Sequence, residues 1–561
     1  MEKNSEEVDE DVFSVDRRSV LKGVGVAGLA GVGVSSATSN GSISETAGNS
    51  FDPIEATVDD VVSAITSGDT TATEIVDTYL ERIGEYDETL NAFITVNESA
   101  TSRAQELDKA FNESGPVGPL HGVPLVLKDN YNTSDLPTTG GSLTLEGFVP
   151  SEDAFTVNQL REAGAIVIGK GNMDEWAHGG SPGGGYSSLG GQTLNPYDLN
   201  RGPAGSSGGP AAAIAANLGI VSTGSDTGGS IRGPVAANAL VGIKPTLGLT
   251  SRTGVIPFGL TLDVTGPMTH SVRDAATMLG VMSEVDTDDP KTYEIIEQAE
   301  GEDYTQYLDS DGLDGARLGI ARDFFGGNDE VDESVNEAID LMADNGAEII
   351  DPITFPQELF DSVGDIYSTI SDLEFKNYLN IYLSTYDDTP VETLEEVIEI
   401  SDDPSFPINE RVLERLIEAQ SRGDFTNQFY QRTLETGPEM VKRALSAPLK
   451  DNDLDALIAP TSSCPPEPLP SADDIDYEID YEVPDEIEYE CENVPSRTIL
   501  ANISGYPEVS VPAAFTSDGL PTSVSFLGEA FDEPTLLKLA YAYEQQSMNR
   551  HPPEDFGALS G

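Results

Sequence analysis

An α/β fold is predicted by three observations. Residues 120 to 270 alternate short apolar runs with glycine turns and alanine-rich stretches, the pattern of strands interleaved with helices. The runs Val123-Pro124-Leu125-Val126-Leu127 and Ala165-Ile166-Val167-Ile168-Gly169 have the length and composition of buried strands. Ala211 to Ala216, followed by Ile220-Val221, reads as a small-residue helix leading into a further strand. A chain of 561 residues can bury a large core and shows no internal repeat, so one extended domain is expected over 55–561.

Residues 1–37 carry an address. Asp16-Arg17-Arg18-Ser19-Val20-Leu21-Lys22 precedes a glycine-rich apolar run, Gly23 to Val34, and a small-residue patch, Ser35-Ser36-Ala37. This resembles a twin-arginine export signal, although Val20 stands where a bulkier apolar residue is usual. The chain would then meet the twin-arginine translocase and finish outside the cytoplasmic membrane; a chance arginine pair on the tail of a cytoplasmic protein is the alternative. The run is too short and too rich in glycine for a transmembrane helix, and no stable membrane insertion is expected. Residues 38–54 read as a flexible linker.

Val58–Ser67 and Thr71–Ile83 follow as amphipathic helices. Thr71 and Glu74 have the spacing of a capping box, and the order of Glu74 before Arg82 suits the helix dipole. Beyond the core, residues 285 to 450 are expected to be mostly helical and acidic. Cys464 and Cys491 flank an acidic excursion, 465–495. In an oxidising exterior a disulfide would close it; two free thiols are the alternative. Asn-x-Ser/Thr sequons at Asn40, Asn97, Asn112, Asn132 and Asn502 would permit glycosylation there.

Chemistry concentrates in two segments, Gly205-Ser206-Ser207-Gly208-Gly209 and Gly224-Ser225-Asp226-Thr227-Gly228-Gly229-Ser230. Both place hydroxyls on glycine-dense backbone that can approach a substrate closely and aim N–H groups at a developing oxyanion. A serine needs a base, and the chain holds only four histidines: His121, His178, His270 and His551. Lysine is the better candidate, because Lys128, Lys170 and Lys244 are the lysines between positions 110 and 290. Lys128 and Lys170 each end an apolar run whose burial would disfavour the ammonium form, so spacing alone does not choose between them.

These residues identify a resemblance to the amidase signature family of serine hydrolases. It is carried by His121 to Asp129, Gly205 to Gly209, Gly224 to Arg232, Gly242 to Thr246, Gly505-Tyr506-Pro507, Val509 to Pro512 and Asp518 to Pro521, in the family's order. The resemblance implies a large mixed β-sheet covered by helices on both faces, with the signature core over about 120–270. It implies a Ser-Ser-Lys triad: nucleophile Ser230, bridging Ser206 and base Lys128. Ser206 would follow a cis peptide bond from Gly205. The N–H groups of Thr227, Gly228, Gly229 and Ser230 would form the oxyanion hole, with Ser207, Asp226 and Arg232 in support. No metal and no organic cofactor is called for. The implied reaction is hydrolysis of a carboxylic or peptide amide to an acid plus ammonia or an amine, through an acyl-enzyme.

Competing patterns are weaker. Gly205 to Gly209 also fits a nucleophile elbow centred on Ser207, but that needs a downstream histidine, and only His270 and His551 are available. Ser19-Val20-Leu21-Lys22 matches Ser-x-x-Lys inside the export segment, where the match is fortuitous. Lys170 and Lys244 read as structural, and His178 as a pocket or structural histidine. Gly190 to Tyr197 is more similar to the peptide-amidase branch. A glutaminase component of a tRNA-dependent amidotransferase and a non-catalytic binding protein are the alternatives; the sequence leaves a homodimer open.

The charge sets the environment. Asp and Glu number 99 against 29 Lys and Arg, a formal net charge of −70. Such a surface repels nucleic acid and anionic membranes, and its spread over the chain points to adaptation to very high salt.

Overall fold

The computed structural model describes residues 51–179, 182–296, 301–470, 487 and 489–559. The export segment, most of the linker, Asn40 and the centre of the acidic excursion lie outside the described residues. Residues 50–561 cluster as one compact unit.

The strands are β1 (Phe93–Val96), β2 (Pro124–Lys128), β3 (Ile166–Gly171), β4 (Tyr186–Ser187), β5 (Gly191–Gln192), β6 (Val221–Asp226), β7 (Val241–Lys244), β8 (Val264–Thr269), β9 (Arg317–Ala321), β10 (Glu348–Ile353), β11 (Ala456–Pro460), β12 (Glu508–Phe515) and β13 (Pro521–Leu527). All but the β4–β5 hairpin form one mixed sheet of eleven strands, in the order β1-β3-β2-β6-β8-β7-β12-β13-β11-β9-β10. β2 runs parallel to both β3 and β6, while β6 and β8 are antiparallel. Every residue of β2, β3, β6 and β8 is buried, which requires cover on both faces of the sheet. The implied amidase-type α/β architecture is the one observed.

Local chemistry explains the elements that frame the site. The helix Val58–Ser67 has the predicted bounds, with Thr57 and Asp60 forming a capping box. The next helix runs Ala72–Leu90, capped by Thr71 and Glu74 as expected, but seven residues past the predicted end. Its last turns bury Ile83 and Leu90, and Gly84 meets no obstacle that would stop it. The all-small helix Gly208–Ala215 lies close against β2, β3 and β6, as its alanines allow.

The region 285–450 is less purely helical than its composition suggests. Helices span Asp329–Asp344, Gln357–Thr385, Leu394–Ser401, Glu410–Ser421 and Gln428–Asp451, but β9 and β10 extend the sheet edge between them. β10 is an edge strand with exposed Glu348, Asp351 and Pro352, so it lacks the continuous apolar run that betrays a central strand.

Cys464 and Cys491 are joined by a disulfide. Three of the five sequons are closed to glycosylation: Asn97, Asn132 and Asn502 are buried, and their side chains donate to Val167 O, Tyr386 OH and Asp226 O respectively. Asn112 is exposed.

Candidate active site

The signature segments converge at the carboxyl ends of β2 and β6. Lys128 closes β2, Ser225 and Asp226 close the neighbouring β6, and Ser206 and Ser207 lead into the helix Gly208–Ala215. Crossing parallel strands place three sequence-distant segments within side-chain reach, at the usual position of an α/β site.

Lys128 is fully buried, with Nζ 2.7 Å from Ser206 Oγ and 2.9 Å from Ser225 Oγ. Among the described residues it forms no salt bridge. Burial pulls its pKa from 10.5 down to about 7, an effect that Asp174, Asp226 and Asp263 only partly oppose. The other two core lysines are engaged differently. Lys170 pairs with Asp129 at 3.3 Å and donates to Pro137 O and Thr138 Oγ1, while Lys244 donates to Pro245 O. The choice that spacing left open between Lys128 and Lys170 is therefore settled by contacts: Lys128 alone of these three reaches serine hydroxyls.

The peptide bond between Gly205 and Ser206 is cis. Asp174 frames it: its N–H donates to Ser206 O at 3.2 Å, and Oδ1 accepts from Gly185 N at 2.5 Å. A Cβ on Gly205 would stand 2.0 Å from Asp174 Oδ2, so no side chain fits there.

The turn after β6 is tied down by Asp226. Its Oδ1 accepts from the Gly229 N–H at 2.8 Å and its Oδ2 from the Ile231 N–H at 3.0 Å. Arg232 closes on both oxygens, with a 2.8 Å ion pair to Oδ1, and bridges to Glu508 at 2.6 Å and Asn502 at 2.6 Å. Burial alone would raise the Asp226 carboxyl, but the Arg232 charge and these donors hold it well below the ordinary carboxylate range. Asp226 and Arg232 thus support the turn as the sequence suggested. Ser207 also acts on it, since its hydroxyl donates to the Ser230 carbonyl.

The turn differs from expectation in one respect. The Gly229 N–H is committed to Asp226, which leaves the amides of Thr227, Gly228 and Ser230 with no acceptor among the described residues. The four-amide oxyanion hole read from the sequence narrows to three. Thr227 is fixed by a 2.6 Å bond from its hydroxyl to Asp263.

Ser230 and the turn 227–229 line a cavity of about 650 Å³. His178 lies in its wall between Phe258 and Phe375, with ring centroids 4.4 Å from each. Burial pushes it down to about 3, so it is a neutral aromatic surface. The other histidines are no base for Ser207: His270 Nε2 lies 2.7 Å from Ile214 O, and His551 stacks on Phe515. Two guanidinium groups face the first cavity with donors to spare. Arg415 makes no ion pair or hydrogen bond among the described residues, and Arg497 bonds Glu508 while leaving Nε and Nη1 without an acceptor.

Sequence reasoning gave no role to four participants. Ser225 is a second hydroxyl on Lys128, and Asn130 Nδ2 donates to it at 2.9 Å. Asp174 holds the Ser206 segment. Tyr367, on the helix Gln357–Thr385, brings its hydroxyl within 2.7 Å of where a Cβ on Gly228 would stand. Ser225 and Asn130 sit inside the quoted segments or one residue past them, so strand alternation could have found them; Asp174 and Tyr367 carry no sequence signal.

The sheet and the site at its strand ends define an α/β enzyme of the amidase type, and comparison with known proteins agrees. The Amidase family model matches residues 74–537. A relative from Arabidopsis thaliana named "Probable amidase" is 34% identical over 510 residues, covering 89% of this chain and 91% of the relative. The glutaminase component of the glutamyl-tRNA(Gln) amidotransferase from Alkaliphilus metalliredigens is 34% identical over 503 residues, covering 88% and 96%. The crystal structure of the peptide amidase from Stenotrophomonas maltophilia superposes with a TM-score of 0.81 at 35% identity, covering 90% of this chain and 99% of that one. The chain belongs to the amidase signature family.

Proposed function

We propose that the protein hydrolyses a carboxylic or peptide amide to its acid plus ammonia or an amine, with Lys128, Ser206 and Ser230 as base, relay and nucleophile. The observation that carries this reading is the 2.7 Å approach of a buried, unpaired Lys128 to Ser206 Oγ, beside the cavity that Ser230 lines. Neutral Lys128 draws the Ser206 proton while Ser206 takes that of Ser230, whose oxygen attacks the amide carbonyl. The oxyanion forms against the free amides of Thr227, Gly228 and Ser230. The proton returns through Ser206 to the departing nitrogen, and water then hydrolyses the acyl-enzyme by the same relay.

Support for a peptide or carboxylic amide comes from the similarity to the Stenotrophomonas maltophilia peptide amidase and from the cavity's spare Arg415 and Arg497 donors, which suit an acyl group with carbonyl or carboxylate oxygens. The similarity to the amidotransferase component keeps glutamine among the substrates to test. We further propose export by the twin-arginine route, a reading that the Cys464–Cys491 disulfide supports.

Ammonia release in multimolar salt from an aliphatic amide, an aromatic amide, a peptide carboxamide and glutamine tests the proposal, comparing the wild type with Ser230→Ala. Loss of at least about a thousandfold in the variant is expected. Equal release by the two proteins would remove Ser230 from the reaction.

A further inference from the structure

A second cavity, of about 300 Å³, meets the first at Gly179, Gly205, Gly233 and Ser462, which line both. Ser230 and the oxyanion turn belong to the first cavity alone, whereas Asp174, Ala236, Ala237 and Tyr489 belong to the second. The junction is largely glycine backbone: a Cβ on Gly233 would find its nearest neighbour 3.8 Å away, at Gly205 O.

Position decides what the second cavity can hold. In amide hydrolysis the departing nitrogen must face the group that protonates it, here Ser206, so its substituents extend past the Gly205–Ser206 segment. The second cavity begins at Gly205. Its volume is roughly ten times the ~30 Å³ that a molecule the size of water or ammonia occupies in the liquid. Its charge also fits a released amine. The carboxylates of buried Asp174 and of Glu467 line it, with no lysine or arginine among its described lining residues, while Arg415 and Arg497 face the first cavity. Pro465, Pro466 and the Tyr489 ring supply apolar wall for hydrocarbon.

We propose that the second cavity receives the leaving amine, and that the enzyme cleaves N-substituted amides whose amine is an aralkyl or alkyl group protonated on release. The inference rests on the amidase reading above. In the acylation step the Ser230 Oγ–acyl bond forms and the C–N bond breaks. The Ser230 proton passes through Ser206 and Lys128 to the nitrogen, which leaves as the neutral amine and takes a second proton from water.

The test is a matched pair of substrates with one acyl group, as the primary carboxamide and as the N-benzyl amide. Wild-type enzyme should hydrolyse both. Ala236→Leu and Ala237→Leu, which fill the second cavity from the helix Arg232–Ala237, should each lower kcat/KM for the N-benzyl amide at least about tenfold more than for the primary carboxamide. Turnover of the primary carboxamide reports that each variant is folded. Hydrolysis of the primary carboxamide alone by wild type, or equal losses on both substrates in the variants, would overturn the inference and leave the amidase reading standing. Silence toward both amides, with Ser230 inert to a fluorophosphonate, would overturn the amidase reading and this inference with it.

Discussion

Lys128 Nζ lies 2.7 Å from Ser206 Oγ at a point where the lysine is wholly buried and no carboxylate pairs with it. Burial brings Lys128 down to about 7, and only its unprotonated amine can accept a proton. The pH profile of kcat/KM should therefore rise through about 7 and level off above it. Lys128→Met, which keeps an apolar side chain in an apolar site, should lose on the order of 10²–10⁴ in rate. A flat profile through neutrality would remove Lys128 as base. The same shift carries a stability prediction with a definite sign. Between about 7 and 10.5 the unfolded chain holds a proton that native Lys128 has lost, so this residue makes stability rise with pH across that window and subtract most below it.

Asp226 and Arg232 form a buried ion pair that also fixes the turn carrying the nucleophile. Asp226→Asn keeps one carbonyl oxygen but sets an amide against the N–H donors and the guanidinium that the carboxylate accepted. Breaking one side of such a pair costs about 3–5 kcal/mol, so the denaturant midpoint should fall clearly. Because Gly229 and Ile231 would lose their acceptor, kcat should drop more than KM rises. Unchanged kcat in a destabilised protein would show that the turn holds its shape without Asp226.

How much of this could be read beforehand follows from where the chemistry sits in the chain. Lys128, Ser206 and Ser230 lie in contiguous motifs, so the residues and even the cis bond before Ser206 were legible through the resemblance those motifs carry. Which lysine meets the serines was not legible from spacing, because Lys128 and Lys170 end equivalent strands; the contact with Asp129 that engages Lys170 exists only once β2 and β3 are paired. Asp174 and Tyr367 act from other segments through tertiary approach, which no periodicity reports. β9 and β10 escaped for a different reason: an edge strand such as Glu348–Ile353 is half exposed and locally polar, so composition alone assigns it to the acidic helices around it.

The disulfide links two walls of the first cavity. Pro460 to Ser463 line it just before Cys464, and Val494 to Ile499 line it just after Cys491. A cross-link spanning 27 residues restricts the unfolded chain by about 3 kcal/mol in the chain-entropy view. Cys464→Ser with Cys491→Ser should lower the unfolding midpoint and raise KM, with kcat less affected because the lysine and serines are held by β2, β6 and Asp226. Steady-state kinetics of the double variant and of reduced wild type should agree; a kcat loss without a KM change would place the effect in the turn rather than in the walls.

Salt dependence should separate the surface from the site. With 99 acidic and 29 basic residues, repulsion among surface carboxylates opposes the compact state, and many of these carboxylates sit on helix faces with no basic partner in reach, as on Asp329–Asp344. Screening shortens the reach of that repulsion from about 10 Å at 0.1 M salt to about 3 Å at 1 M. The unfolding midpoint should therefore climb with added KCl and fall on dialysis into dilute buffer. Sucrose, which favours burial without screening charge, should restore only part of the loss. Circular dichroism and activity unchanged in dilute buffer would end the high-salt reading. Lys128, shut away from solvent, should behave differently: buried charges are screened far less, so the rise in kcat/KM at about 7 should stay in place across salt concentrations at which the protein remains folded. A midpoint that moves with salt beside a kinetic pKa that does not would assign stability to the acidic surface and catalysis to the dry interior.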